Sequence, residues 1–163
     1  MSDRAAFVAR YGGVFEHSPW IAEAAWDAGL PPDADTATGL HRALCAALAP
    51  AEHEQKLALL RAHPSLAGRL ALAGGLTAAS TAEQASAGLD CCTPGELARF
   101  QLLNMIYEAK FGFPFIMAVR GVPRRTVLVA FGQRVGNDAE TEFATALQQV
   151  EQIALLRLRD LLP

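Results

Sequence analysis

Apolar residues recur along this chain mostly three or four apart, the spacing of helices that bury one face. The first run covers residues 2–11, with Phe7, Val8 and Tyr11 apolar, and Gly12-Gly13 closes it. Ser18 is placed to cap a second helix with Pro19 at its first position. Trp20, Ile21, Ala24 and Ala25 share one side of that helix, which stops near Gly29, and Pro31-Pro32-Asp33 reads as a turn. A third helix is expected over roughly 36–49, carrying Leu40, Leu44, Ala47 and Leu48. A fourth follows over 51–62, with Leu57 and Leu60 inward and Glu52, Glu54 and Lys56 outward. His63 comes next, and Pro64 disfavours the α region for it. His63 is therefore expected at a helix C-terminus, held by a turn.

Residues 65–79 are small and glycine-rich (Ala67, Gly68, Ala71, Ala73, Gly74, Gly75) and read as a weakly specified, partly helical connection. A helix over about 81–88 follows. Thr93-Pro94-Gly95-Glu96 is a capping box with proline at the first helical position. The helix it opens runs to about Lys110 with Leu97, Phe100, Asn104, Tyr107 and Phe111 on one stripe, and Gly112 and Pro114 end it. Phe115–Val119 reads as a short extended stretch. Pro123 opens a helix to about Val135, and Asn137 with Glu140 is placed to cap the last helix, about 138–161. Its expected stripe is Phe143, Leu147, Val150, Ala154 and Leu161. The pattern predicts an all-α fold of seven to eight helices with little or no sheet, and no internal repeat or linker. At 163 residues it predicts a single compact domain, residues 1–163.

Composition agrees with that picture. Apolar residues make up 52% of the chain, and the excess is alanine and leucine, which favours helix. A net charge of −3 gives no electrostatic reason to expect nucleic acid. No apolar run approaches the ~18 residues that span a membrane. The N-terminal residues carry charges where a signal peptide needs an apolar stretch, and Asp160–Pro163 is not a peroxisomal tail. Three cysteines, two of them adjacent (Cys91, Cys92), make a poor disulfide framework. The expectation is a soluble cytoplasmic protein with reduced thiols.

Generic catalytic motifs are absent. The four histidines, His17, His41, His53 and His63, form no metal-ligand spacing, and there is no phosphate loop, nucleophile elbow or dinucleotide fingerprint. A bound metal has no support from spacing. His63 stands out for its setting: an imidazole fixed before a proline and beside a glycine-rich segment suits proton transfer, or else caps the preceding helix. Ser80-x-x-Glu83 is either a capping box or part of a site. Gln84 offers a donor and an acceptor, which suits a ureido or imide group. Arg157 falls on the inward stripe of the last helix, where a guanidinium needs an acidic side chain or a bound carboxylate. Phe111–Phe115 is either a hydrophobic corner or a pocket wall followed by ligand-facing amides at Ile116 to Val119. Cys91-Cys92, Trp20 and Trp26 read as packing residues.

Taken jointly, three segments resemble the 2-oxo-4-hydroxy-4-carboxy-5-ureidoimidazoline (OHCU) decarboxylase family. They are His63-Pro64-x-Leu66-Ala67-Gly68, Ser80-x-x-Glu83-Gln84-x-x-Ala87-Gly88-Leu89, and Asn104-x-x-Tyr107-x-x-Lys110-Phe111-Gly112-Phe113-Pro114-Phe115. Phe15–Trp20 and Ile153-Ala154-x-x-Arg157-Leu158 resemble it too. The resemblance implies an all-helical enzyme, without a cofactor and often dimeric, that decarboxylates OHCU to (S)-allantoin at the end of urate breakdown. It implies His63, Glu83 and Arg157 as catalytic residues. The implied substrate contacts are Pro64, Ser80, Thr81, Ala82, Glu83 and Gln84, with Phe115, Ile116, Met117, Ala118 and Val119. Two other readings stand beside it: a hydrolase of a related ureide ring, and a helical binding module without catalysis. Release of carbon dioxide separates the first from a decarboxylase. The intact His63, Glu83, Gln84 set argues against the second.

Overall fold

The structure, a computed structural model, describes residues 3–68 and 74–163. Its described residues form eight α-helices and no strand. These are α1 (Arg4–Tyr11), α2 (Trp20–Asp27), α3 (Ala37–Leu48), α4 (His53–Arg61), α5 (Ala78–Ser86), α6 (Pro94–Phe111), α7 (Arg124–Arg134) and α8 (Ala139–Leu161). Part of the glycine-rich connection expected over 65–79 lies outside the described residues. The chain divides into two compact units, one of residues 1–62 and 148–163, the other of residues 63–147.

In the first unit, the starts of α1, α3 and α4 are fixed by capping side chains. Asp3 caps α1 by accepting from the Ala6 amide at 2.7 Å, and Thr36 caps α3 by accepting from Gly39 at 3.0 Å. A Glu52–Gln55 capping box opens α4. The α2 start departs from expectation. Pro19 occupies the cap position without a side-chain bond, and Ser18 Oγ instead donates to the Glu16 carbonyl at 2.9 Å. Phe7, Phe15, Ile21, Leu40, Leu44, Leu48, Leu59 and Leu60 are fully buried. Burying each stabilises the unit by roughly 1.5–3 kcal/mol before entropy is charged. On α4, Leu59 takes the buried place expected of Leu57, which is only half-buried. Trp20 and Trp26 are also half-buried. Trp26 still meets the Phe7 ring at 5.3 Å between centroids.

The second unit is built around Tyr107. Its ring lies 4.5 to 5.9 Å from those of Phe111, Phe113, Phe115 and Phe131. Phe115 and Phe131 stack at 3.9 Å and 9°. The expected Thr93–Glu96 capping box forms as read, with Thr93 N donating to Glu96 at 2.9 Å and Glu96 N to Thr93 at 3.1 Å. Gly112 ends α6 at φ +78°, a left-handed conformation that glycine adopts without steric cost.

Two expectations about α8 are corrected. Asp138, not Asn137, caps it, accepting from Thr141 N at 2.7 Å. Its buried stripe contains Glu142, Ala146, Val150, Ala154, Arg157 and Leu158, whereas Leu161 is 39% exposed and Phe143 and Leu147 are half-buried. The true stripe admits two charged residues, which a reading by hydrophobicity passes over. Cys91 is exposed, not packed, and Cys92 is half-buried.

Candidate active site

His63 lies in the bend directly after α4, 7% exposed, with the half-buried Pro64 next to it. The three residues that follow are tied down by side chains from two helices. Gln84 on α5 accepts from the Ala67 amide at 2.9 Å and approaches the Ser65 carbonyl at 3.5 Å. Asn104 on α6 donates to the Leu66 carbonyl at 3.0 Å. Ser65 donates to Glu108 at 2.6 Å. Ala67 is held at φ +48°, a conformation uncommon outside glycine and asparagine. These bonds supply the fixed backbone that the proline begins.

Helix α5 carries the expected site residues Ser80 to Gln84. The Ser80–Glu83 capping box does not form, because α5 begins earlier than the reading placed it. Thr77 is the cap, accepting from Ser80 N at 3.2 Å. Ser80 thus sits inside the first turn, 4% exposed. Thr81 back-bonds to the Thr77 carbonyl at 2.9 Å, and Thr81 and Ala82 are exposed. Glu83 meets Arg120, Nη2 to Oε2 at 3.7 Å. Sequence reasoning missed Arg120. The only signal was its position, one residue past the Phe115–Val119 stretch. A further bond joins the same places, with Gly121 N donating to Ser86 Oγ at 3.1 Å.

Phe115–Val119 has no regular secondary structure, with Phe115, Ile116 and Val119 buried and Met117 and Ala118 half-buried. Arg134 on α7 anchors it. Its Nη1 donates to the Ile116 carbonyl at 2.6 Å, and its guanidinium lies 4.4 Å over the Phe115 ring. Arg134 is in turn held by Glu142 at 2.6 Å, a carboxylate that also accepts from Tyr107 at 2.7 Å and Asn137 at 3.1 Å. Burial, with the Glu142 carboxylate beside it, pushes the Tyr107 hydroxyl well above its usual range, so it stays a donor. Sequence reasoning missed this pair as well.

Arg157 belongs to the first unit. It is buried, as its spacing predicted, with Nη2 donating to Glu16 at 2.8 Å and Nη1 to the Gly13 carbonyl at 3.2 Å. The second unit also holds a cavity of about 320 Å³ lined by Ala67, Thr81, Gln84, Ala85, Leu89 and Leu97 among others. The second unit thus brings the buried imidazole, a carboxylate–guanidinium pair and a braced stretch of peptide into one compact body.

The OHCU decarboxylase family model matches residues 1–159. The 2-oxo-4-hydroxy-4-carboxy-5-ureidoimidazoline decarboxylase of Haloferax volcanii is 42% identical over 158 residues, covering 97% of this chain and 90% of its own. That of Halalkalicoccus jeotgali is 41% identical over 160 residues, covering 98% of this chain and 87% of its own. A crystal structure of (S)-allantoin synthase superimposes with a TM-score of 0.75 at 36% identity over 99% of this chain. The chain spans about half the length of that protein, 51%. With the match running nearly end to end in sequence and the helical architecture shared, the chain belongs to the OHCU decarboxylase family.

Proposed function

We propose that this protein decarboxylates OHCU to (S)-allantoin, closing the conversion of urate, and that its two units act as one domain. The observation that carries the reading is the family match over residues 1–159. It runs through both units. The buried His63, set directly before Pro64 and the bonded turn of Ser65, Leu66 and Ala67, supports it.

The reaction needs no external electron sink. The bond from the ring carbon to the carboxylate breaks as carbon dioxide leaves, its electron pair forms a C=C bond to the neighbouring carbon, and the C=N pair moves onto nitrogen, which takes a proton from solvent. The hydroxyl on the same carbon gives up its proton as it becomes the ring carbonyl. A proton delivered to one face of the neighbouring carbon sets the S configuration. In this reading His63 carries out proton transfer, the role an imidazole fills near neutral pH. Glu83, paired with Arg120, aids it by setting its protonation. Pro64, Ser80, Thr81, Ala82 and the peptide groups of Phe115, Ile116, Met117, Ala118 and Val119 hold the ring and ureido groups. Gln84, whose amide meets Ala67 and Ser65, shapes the histidine turn as well as the pocket. Arg157 acts through the Glu16 segment to which it is bonded. No cofactor enters the scheme.

The reading extends to a cytoplasmic homodimer. Exposed Leu102, Met105 and Ile106 on one side of α6 support association, and light scattering after gel filtration measures it. No helix among the described residues is long and apolar enough to cross a membrane. The activity is tested by circular dichroism on OHCU generated in situ from urate by the two upstream enzymes. Faster decay with a lasting (S)-allantoin signal is expected. Unchanged decay to racemic product overturns the reading.

A further inference from the structure

We infer that Asn104 is a positioning residue for His63. Its buried amide fixes the turn that follows the histidine, and the fold does not otherwise need that amide. The inference rests on the functional reading above in taking His63 as the proton-transfer group.

Asn104 sits on α6, 7% exposed. Its Nδ2 reaches the Leu66 carbonyl at 3.0 Å, across 38 residues of sequence. Its Oδ1 is buried and has no hydrogen-bond partner among the described residues. A buried amide with one end unpaired is a poor stabilising choice, because the oxygen has lost water and gained nothing. A leucine of similar size would remove that unpaired oxygen and add apolar contact. What leucine cannot do is hold the Leu66 carbonyl.

That carbonyl sits in a short turn under strain. The next residue, Ala67, is in the left-handed region at φ +48°. Such conformations persist only where the surroundings over-determine them. Here the surroundings are two amides from two helices. Gln84 binds Ala67 N on one side of the strained residue's peptide chain, and Asn104 binds Leu66 O just before it. Both bonds fall within four residues of His63. Release of either lets Ala67 relax and lets the backbone that carries Pro64 and His63 rotate. A displacement of that kind costs rate, because proton transfer depends steeply on donor–acceptor geometry.

The test uses the full chain and two variants, Asn104→Leu and Asn104→Leu with Ala67→Gly. Asn104→Leu is expected to fold with a Tm within a few degrees of the parent. Its kcat should fall about tenfold or more, with KM changed by less than about threefold. Hydrogen exchange at the Ala67 amide should accelerate while α6 stays protected. Glycine adopts the left-handed conformation freely, so adding Ala67→Gly should restore several-fold of the lost kcat. A folded Asn104→Leu with kcat within twofold of the parent overturns the inference. So does an Asn104→Leu that fails to fold, since the amide would then be needed for stability. A parent enzyme that releases no carbon dioxide from OHCU refutes the functional reading instead. The exchange rate at Ala67 then still decides whether Asn104 holds the turn.

Discussion

Arg134 and Glu142 form an ion pair at 2.6 Å in which the carboxylate is fully buried. The pair joins α7 to the first turn of α8 and reaches the Ile116 carbonyl through the other end of the guanidinium. A buried pair of this kind adds little net stability over an apolar replacement, yet breaking it from one side strands a charge. Arg134→Met leaves the buried Glu142 carboxylate to Tyr107 and Asn137, and should cost about 3–5 kcal/mol in a urea titration. Arg134→Met with Glu142→Leu should lose less than Arg134→Met alone. A double variant as unstable as the sum of its singles would show that the two side chains do not act as a pair.

His63 is the group on which the proposed chemistry turns. It lies in a bend, not inside a helix, and its replacement leaves the bonds of Ser65, Leu66 and Ala67 in place. His63→Asn should therefore fold with a Tm close to the parent and lose about 10²-fold or more of kcat, the range of a general acid–base group. Stopped-flow circular dichroism on fresh OHCU measures it. Full activity in a folded His63→Asn protein would remove the histidine from the mechanism.

Gln84 was expected from its chemistry to bind a ureido group. The structure uses its carbonyl oxygen on Ala67 N and points its nitrogen end at Ser65 O. Gln84→Leu should then act like the loss of a brace, lowering kcat at least as strongly as it raises KM. Gln84→Glu, which keeps the acceptor for Ala67 N, should retain more kcat than Gln84→Leu. A pure KM effect in Gln84→Leu would return the residue to direct substrate binding.

What the sequence disclosed and what it withheld follow from the range of the interactions. The Thr93–Glu96 box was legible because all its partners lie within four residues. The inward facing of Arg157 was legible from helical spacing, but its partner Glu16 lies 141 residues away. Of the two readings open for Ser80, the cap does not form because Thr77, another good capping residue, stands three positions earlier and takes that role. Arg134 and Glu142 were invisible for a different reason. Charged residues read as solvated faces of helices until a fold shows the carbonyl, the phenol and the ring that surround them.

Glu96 supplies a pH test of the cap that the sequence did disclose. The Thr93 amide, then the Arg124 guanidinium at 2.8 Å, hold its carboxyl below the usual carboxylate range. A group whose pKa is depressed by folding contributes stability above its unfolded value and loses it as pH falls through the folded one. The contribution of Glu96 should thus be complete at pH 6 and disappear below about pH 4, taking the ordinary glutamate value as the upper edge of the window. Glu96→Gln keeps an acceptor for Thr93 N but cannot titrate or pair with Arg124. The Tm of the parent should exceed that of Glu96→Gln near neutrality, and the gap should close as the pH is lowered toward 3. Asp138, depressed by its bond from Thr141, titrates in both proteins and cancels from the difference. A gap that stays constant from pH 7 to 3 would mean that the carboxylate's charge contributes nothing to the cap, and that Arg124 and Glu96 are neighbours without consequence for stability.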